Sequence, residues 1–118
     1  MEYNNEFLEE LISYVELVYG NTEKLATDIL SQKMIIKSDI DENINKTIQD
    51  YTNILKYLEF CNQNDSDMSF DVSTGVNIIK EVLQTSANEN YVLLYDYLFY
   101  SLCGELSNVF SDLDTKLA

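Results

Sequence analysis

The chain has no histidine, arginine, proline or tryptophan, and only three glycines and two cysteines in 118 residues. Without histidine it lacks the commonest general acid–base group and the imidazole partner of a Ser or Cys nucleophile. Without arginine, clustered lysine or a glycine-rich loop, nothing suits phosphate, nucleotide or direct nucleic-acid binding. Two cysteines cannot supply a four-ligand zinc site, and a di-iron helical site would need Glu-x-x-His. Cys61 and Cys103 form no CxxC pair and fall on apolar faces of predicted helices, so two reduced core thiols are expected. No apolar run approaches the roughly 18 residues of a membrane span. The opening Met-Glu-Tyr-Asn-Asn-Glu has the wrong charge for a targeting peptide, so a soluble cytoplasmic protein with no membrane contact is expected.

What the chain has is acid. Seven lysines stand against 21 carboxylates, for a net charge of −14. Residues 1–23 hold six acids and no base, 24–56 hold five of each, and 57–118 hold ten acids and two lysines, which gives −6, zero and −8. Hydrophobic residues make up 46%, enough for one globular core and no sign of disorder. An unneutralised acidic surface repels nucleic acid and anionic membranes and attracts basic partners. Frequent Asn and Ile with scarce Ala is the bias of an AT-rich genome, pointing to a bacterium or its phage.

Few breakers leave helices as the dominant element. Phe7, Leu8, Leu11, Ile12, Val15, Val18 and Tyr19 share one arc of a first helix, with an acidic back. Gly20-Asn21 is expected to end it and Asn21 or Thr22 to cap a second helix through Met34. A third follows Ser38, where Ile44, Ile48, Tyr51, Leu55 and Leu58 step by 4, 3, 4 and 3. The segment 62–71 reads as a loop. Asp71 or Ser73 is expected to cap a fourth helix through Leu83, and Asn88 the next, over 89–103. Gly104 allows either one bent helix to the C-terminus or two short ones. The aromatic stretch 91–100 could be a buried strand, but no other segment alternates with period two to pair with it. The expected fold is all-α, one domain over 1–118, a compact bundle of five to six antiparallel helices.

Carboxylates alone could still carry chemistry. No polar residue is stranded on an apolar face, so a catalytic dyad is not expected and the chain does not read as an enzyme. Asp39-Ile-Asp41-Glu-Asn43 with Asp50 resembles a calcium loop but has Ile44 where glycine is required. Asp65-Ser-Asp67-Met-Ser69-Phe-Asp71 has Val76 in place of the closing Glu. No metal or cofactor is expected.

The candidate surface is tyrosine beside acid. On the wheel of 89–105, Val92, Tyr95, Leu98, Phe99, Leu102 and Cys103 face inward, and Glu89, Leu93, Asp96, Tyr97 and Tyr100 face outward. Tyrosines anchor interfaces and carboxylates steer basic partners. Glu6, Glu9 and Glu16 on the first helix, and Asp65 and Asp67 in the loop, extend the acidic candidates. The expected function is a small acidic module that inhibits a basic protein, of the immunity type, such as one that neutralises a nuclease. One alternative is a DNA mimic; the chain is similar to antirestriction and anti-CRISPR inhibitors in bulk properties, with no shared motif. Another is a structural or regulatory bundle that dimerises through the aromatic 91–103 face.

Overall fold

The computed structural model describes residues 1–117, which form four helices and no strand. The helices are α1 (Asn5–Leu30), α2 (Lys37–Asn64), α3 (Val72–Ala87) and a C-terminal helix over 91–117. The last runs without a break through three segments: α-helical Tyr91–Asp96, π-helical Tyr97–Leu102 and α-helical Cys103–Leu117. All-α is therefore correct, while the expected five to six helices reduce to four.

One expected break, at Gly20-Asn21, is absent. Gly20 is exposed and α1 passes straight through it. The reason is the core stripe: Val15, Val18, Thr22, Leu25 and Ile29 step by 3, 4, 3 and 4, and all are buried. Burying that second half outweighs the roughly 1 kcal/mol that a mid-helix glycine costs. Thr22 is therefore not a cap; it sits in the core with its hydroxyl donating to the Val18 carbonyl at 2.7 Å. Gly104 likewise interrupts nothing.

Side-chain caps set several helix ends. Asn4 accepts from the Phe7 amide at 2.9 Å. Asp71 accepts from the Ser73 and Thr74 amides at 3.1 and 3.3 Å, so it caps α3. Asn90, not Asn88, caps the C-terminal helix, accepting from the Leu93 amide at 3.3 Å. Ser38 lies inside α2, which starts after Ile36 with no side-chain cap. Asn62 grips the 65–71 loop from both sides: it accepts from the Phe70 amide at 2.8 Å and donates to the Phe70 carbonyl at 2.9 Å.

Cross-helix contacts fix the topology. Tyr3 meets Asp65 and Tyr14 meets Asp50, so α1 and α2 run antiparallel. Gly75 lies on Leu55 and Ser86 reaches Asp41, so α2 and α3 are antiparallel. The Cys103 thiol points at the Tyr19 carbonyl, and Val15 lies beside Leu106 and Phe110, so α1 and the C-terminal helix are antiparallel. The bundle measures 43 × 22 × 22 Å, the long axis matching the roughly 42 Å of a 28-residue α2. Gly75 permits the close approach of α3: a Cβ there would lie 2.6 Å from Leu55 Cδ2 and 2.8 Å from the Tyr51 hydroxyl.

The core is continuous from Leu8 to Leu113. Cys61 and Cys103 are buried, unbridged thiols within it, each pushed up to about 11, chiefly by burial. No helix among the described residues is long and apolar enough to cross a membrane.

One polar cluster closes the end of the bundle where α1 begins. Asp65 Oδ2 accepts from the Tyr3 hydroxyl at 2.8 Å and pairs with Lys116 Nζ at 2.8 Å. These partners hold the Asp65 carboxyl down at about 2 from 3.8, Lys116 first and Tyr3 second. Its folded value lies below its unfolded one, so its contribution is complete above about pH 4 and is lost as the pH falls toward 2. Urea unfolding followed across that window should show the midpoint falling with acid, and Asp65→Asn should flatten part of that slope. An unchanged slope in the variant would show that the cluster does not support the fold.

The α1/C-terminal helix groove as candidate functional site

The C-terminal helix departs from regular α geometry at the residues that carry its tyrosines. The Cys103 amide donates to the Leu98 carbonyl five residues back, the signature of a π turn. Leu94, Leu98, Leu102 and Leu106, spaced by four, are all fully buried. In an uninterrupted α-helix a run of four-residue steps drifts off the core by about 40° per step. The wider π turn absorbs that drift by accommodating one extra residue. The inward arc expected from the sequence is corrected accordingly. Leu94 is buried, while Val92 is 71% exposed.

Three aromatics cluster at the π turn, Tyr95 and Phe99 half-buried against the core and Tyr100 exposed. Tyr95 and Phe99 stack with centroids 5.2 Å apart, and Tyr100 meets Phe99 edge-on at 5.1 Å. Tyr100 remains 65% exposed, so this aromatic face is only partly covered by the fold. Asp96, one turn before Tyr100, is exposed beside it. π segments of this kind recur at functional sites.

Across from this face runs α1. Glu9, Glu16 and Glu23 follow one another at seven-residue steps and share a face of α1. Glu16 lines a groove with Tyr19, Ser107 and Phe110, floored by Val15 and Leu106. Glu23 lies next to Tyr19 and Cys103; its charge raises the Tyr19 phenol above its ordinary value and adds to the burial that raises the Cys103 thiol. The antiparallel contact of Tyr19 with Cys103 places Glu23, one turn on, level with Phe99. Of the candidates, Glu16 lines this groove, Glu9 shares its face of α1, and Asp96 and Tyr100 are exposed on the neighbouring C-terminal helix.

The other candidates lie elsewhere. Tyr97 is half-buried on the α3 side, where the Glu81 carboxylate raises its phenol. Glu6 is exposed in the first turn of α1. Asp65 is engaged with Tyr3 and Lys116, and Asp67 lies 3.6 Å from the same ammonium. Glu89 sits in the connection before the C-terminal helix at φ 54, near Lys37. The calcium-like segments are likewise occupied: Asp41 pairs with Lys37 at 2.7 Å, and Asp71 caps α3.

Charge is segregated around the bundle. Lys24 and Lys46 lie between α1 and α2, interleaved with Asp28 and Asp50. Only Lys37 and Lys116 form ion pairs among the described residues, with Asp41, Asp65 and Asp67, out of 21 acids in the chain. The groove between α1 and the C-terminal helix has one carboxylate, Glu16, and no lysine in its lining.

Sequence reasoning missed an apolar patch at the far end of the bundle. Leu30, Ile35, Ile36 and Val92 are 53%, 74%, 58% and 71% exposed. Leu30, Ile35 and Val92 surround a cavity that Met34 and Tyr91 also line. Gln32 at φ 61 and Glu89 at φ 54 hold left-handed turns in the α1–α2 and α3–C-terminal connections. The signal was present in adjacent isoleucines that fit neither helical stripe.

Among the described residues, no group of three or more His, Cys, Asp or Glu is placed to hold a metal ion. Compared with protein-family models, curated proteins and solved structures, the chain matches none.

Proposed function

We propose that the chain is an acidic binding protein that docks on, and thereby blocks, a basic surface of a protein partner. The observation that carries this reading is the α1/C-terminal groove, where half-buried Tyr19 and Phe110 lie beside Glu16, a carboxylate that no lysine pairs with. Such a surface supplies both parts of recognition: long-range attraction from the acids and desolvated anchoring from tyrosine. The balanced α1/α2 side serves as scaffold.

A basic nuclease is the kind of target this charge suits, and the axial charge density supports a second version of the reading. A net −14 along 43 Å is about one net charge per 3 Å of length. Duplex DNA carries one charge per about 1.7 Å and a single strand one per about 3.4 Å. The chain therefore approaches a single strand in linear charge, as a nucleic-acid mimic would. Competition separates the versions: a mimic is displaced from its target by plain DNA, whereas an inhibitor on another basic surface is not.

The test is capture of partners from cells that express the protein, at low and at high salt. The wild type is compared with a variant carrying Glu9→Lys, Glu16→Lys and Glu23→Lys. A partner held by this surface associates quickly at low salt, slows steeply as exposed charges lose reach beyond about 8 Å, and is lost in the variant. A partner whose association ignores both salt and the triple reversal would refute the reading.

A further inference from the structure

We infer that the segment this groove receives from its partner is a cationic amphipathic helix, docked as a fifth helix of the bundle. This inference rests on the proposed acidic-binder function and names the form of the partner at the same site.

The groove lies between two long antiparallel helices. From Val92 to Phe110 the C-terminal helix advances 18 residues, about 27 Å or five turns, alongside the antiparallel α1. Such a channel between two helices is where the ridge of a third packs. The acids agree in pitch. Glu9, Glu16 and Glu23 repeat every seven residues, about 10.5 Å apart, the distance between side chains two turns apart on one face of a partner helix. An extended segment does not match: its side chains return to one face about every 6.6 Å, so at about 6.6 and 13 Å and not at about 10.5 Å.

The channel also needs an apolar partner stripe, not charge alone. Its floor is Val15 and Leu106, with Tyr19 and Phe110 half-buried at the sides. Val92 at 71% exposure and Ile35 line a second apolar cavity toward the start of the C-terminal helix, and Tyr100 at 65% exposure lies on that helix between the two cavities in sequence. Leucine-sized side chains on the incoming helix would cover this line, while its lysines or arginines meet Glu16, Glu23 and Asp96. The sign of the charge chooses the occupant: a second copy of this chain would bring its own acids against them.

Three synthetic 18-residue peptides test this by calorimetric titration at low salt. The first places Leu at i, i+3, i+4 and i+7 with Lys on the remaining faces. The second has the same composition in shuffled order, and the third replaces Lys by Glu. The first peptide should bind at least about tenfold more tightly than the second, and the third should not bind. Val92→Asp, at an exposed position that leaves the core intact, should weaken the first peptide by a similar factor. Equal binding of ordered and shuffled peptides overturns the helix and leaves the acidic-binder reading standing. Binding of the Glu peptide overturns the role given to charge. An unaffected Val92→Asp variant overturns the placement, and failure of both Lys peptides overturns the acidic-binder reading itself.

Discussion

Deletion of Tyr100 should leave the bundle folded and remove most of its affinity for a cationic helix. The core positions of the C-terminal helix are Leu94, Leu98, Leu102, Leu106, Val109 and Leu113, all buried. Their steps are 4, 4, 4, 3 and 4. Removing one residue between Leu98 and Leu102 converts these to 4, 3, 4, 3 and 4, the pattern of an uninterrupted amphipathic α-helix. The π turn then has no residue to accommodate, and the core side chains keep their places. What disappears is the 65% exposed aromatic and the outward set of its neighbours. Circular dichroism should show undiminished helix and a melting temperature equal to or above that of the wild type. Affinity for the ordered Leu–Lys peptide should fall at least tenfold, or about 1.4 kcal/mol. If the deletion unfolds the chain, the extra residue serves packing and not recognition.

Leu98→Ala should do the opposite. Leu98 lies in the same π segment but is fully buried against α1 and α3. Truncating such a leucine costs about 2–5 kcal/mol, through lost transfer energy and the cavity left behind. At roughly 4 °C per kcal/mol for a domain of this size, the melting temperature should drop by about 8–20 °C. Tyr100→Ala, two residues away on the exposed face, should stay within about 0.5 kcal/mol of wild type, as surface substitutions do. Thermal melts of the two variants side by side check this. Equal losses would mean that the outer aromatic face is part of the fold and not left open for a partner.

These contrasts show what was legible in the sequence. Leu94, Leu98, Leu102 and Leu106 announce the π turn by their repeated four-residue spacing, but only to a reader who lets the period change within one helix. Holding the period at 3.6 rotated the expected arc, hid Leu94 and turned Val92 inward. Thr22 hid the continuity of α1 in a different way. A threonine after Gly-Asn carries the local chemistry of a cap, yet the 3, 4, 3, 4 stripe through Val18, Thr22 and Leu25 required a core position. Burial decided against the cap, because Thr22 satisfies its hydroxyl on the Val18 carbonyl and loses nothing by being inside.

The site was legible by composition and only partly by position. Asp96 and Tyr100 share a helix, so their proximity follows from spacing alone. Glu16 and Phe110 lie more than ninety residues apart and meet only because α1 and the C-terminal helix run antiparallel. No local pattern encodes that pairing. Asp65 carries the complementary lesson. In sequence it is one loop acid among several, and in the fold Tyr3 and Lys116 engage it.

The central claim is that recognition belongs to the α1/C-terminal face. Amide chemical shifts recorded while the protein is titrated with the ordered Leu–Lys peptide test it most directly. The account predicts perturbations concentrated at Glu16, Tyr19, Glu23, Asp96 and Tyr100, fading as salt is raised. Perturbations centred on α2, or spread evenly over every acidic residue, would contradict it.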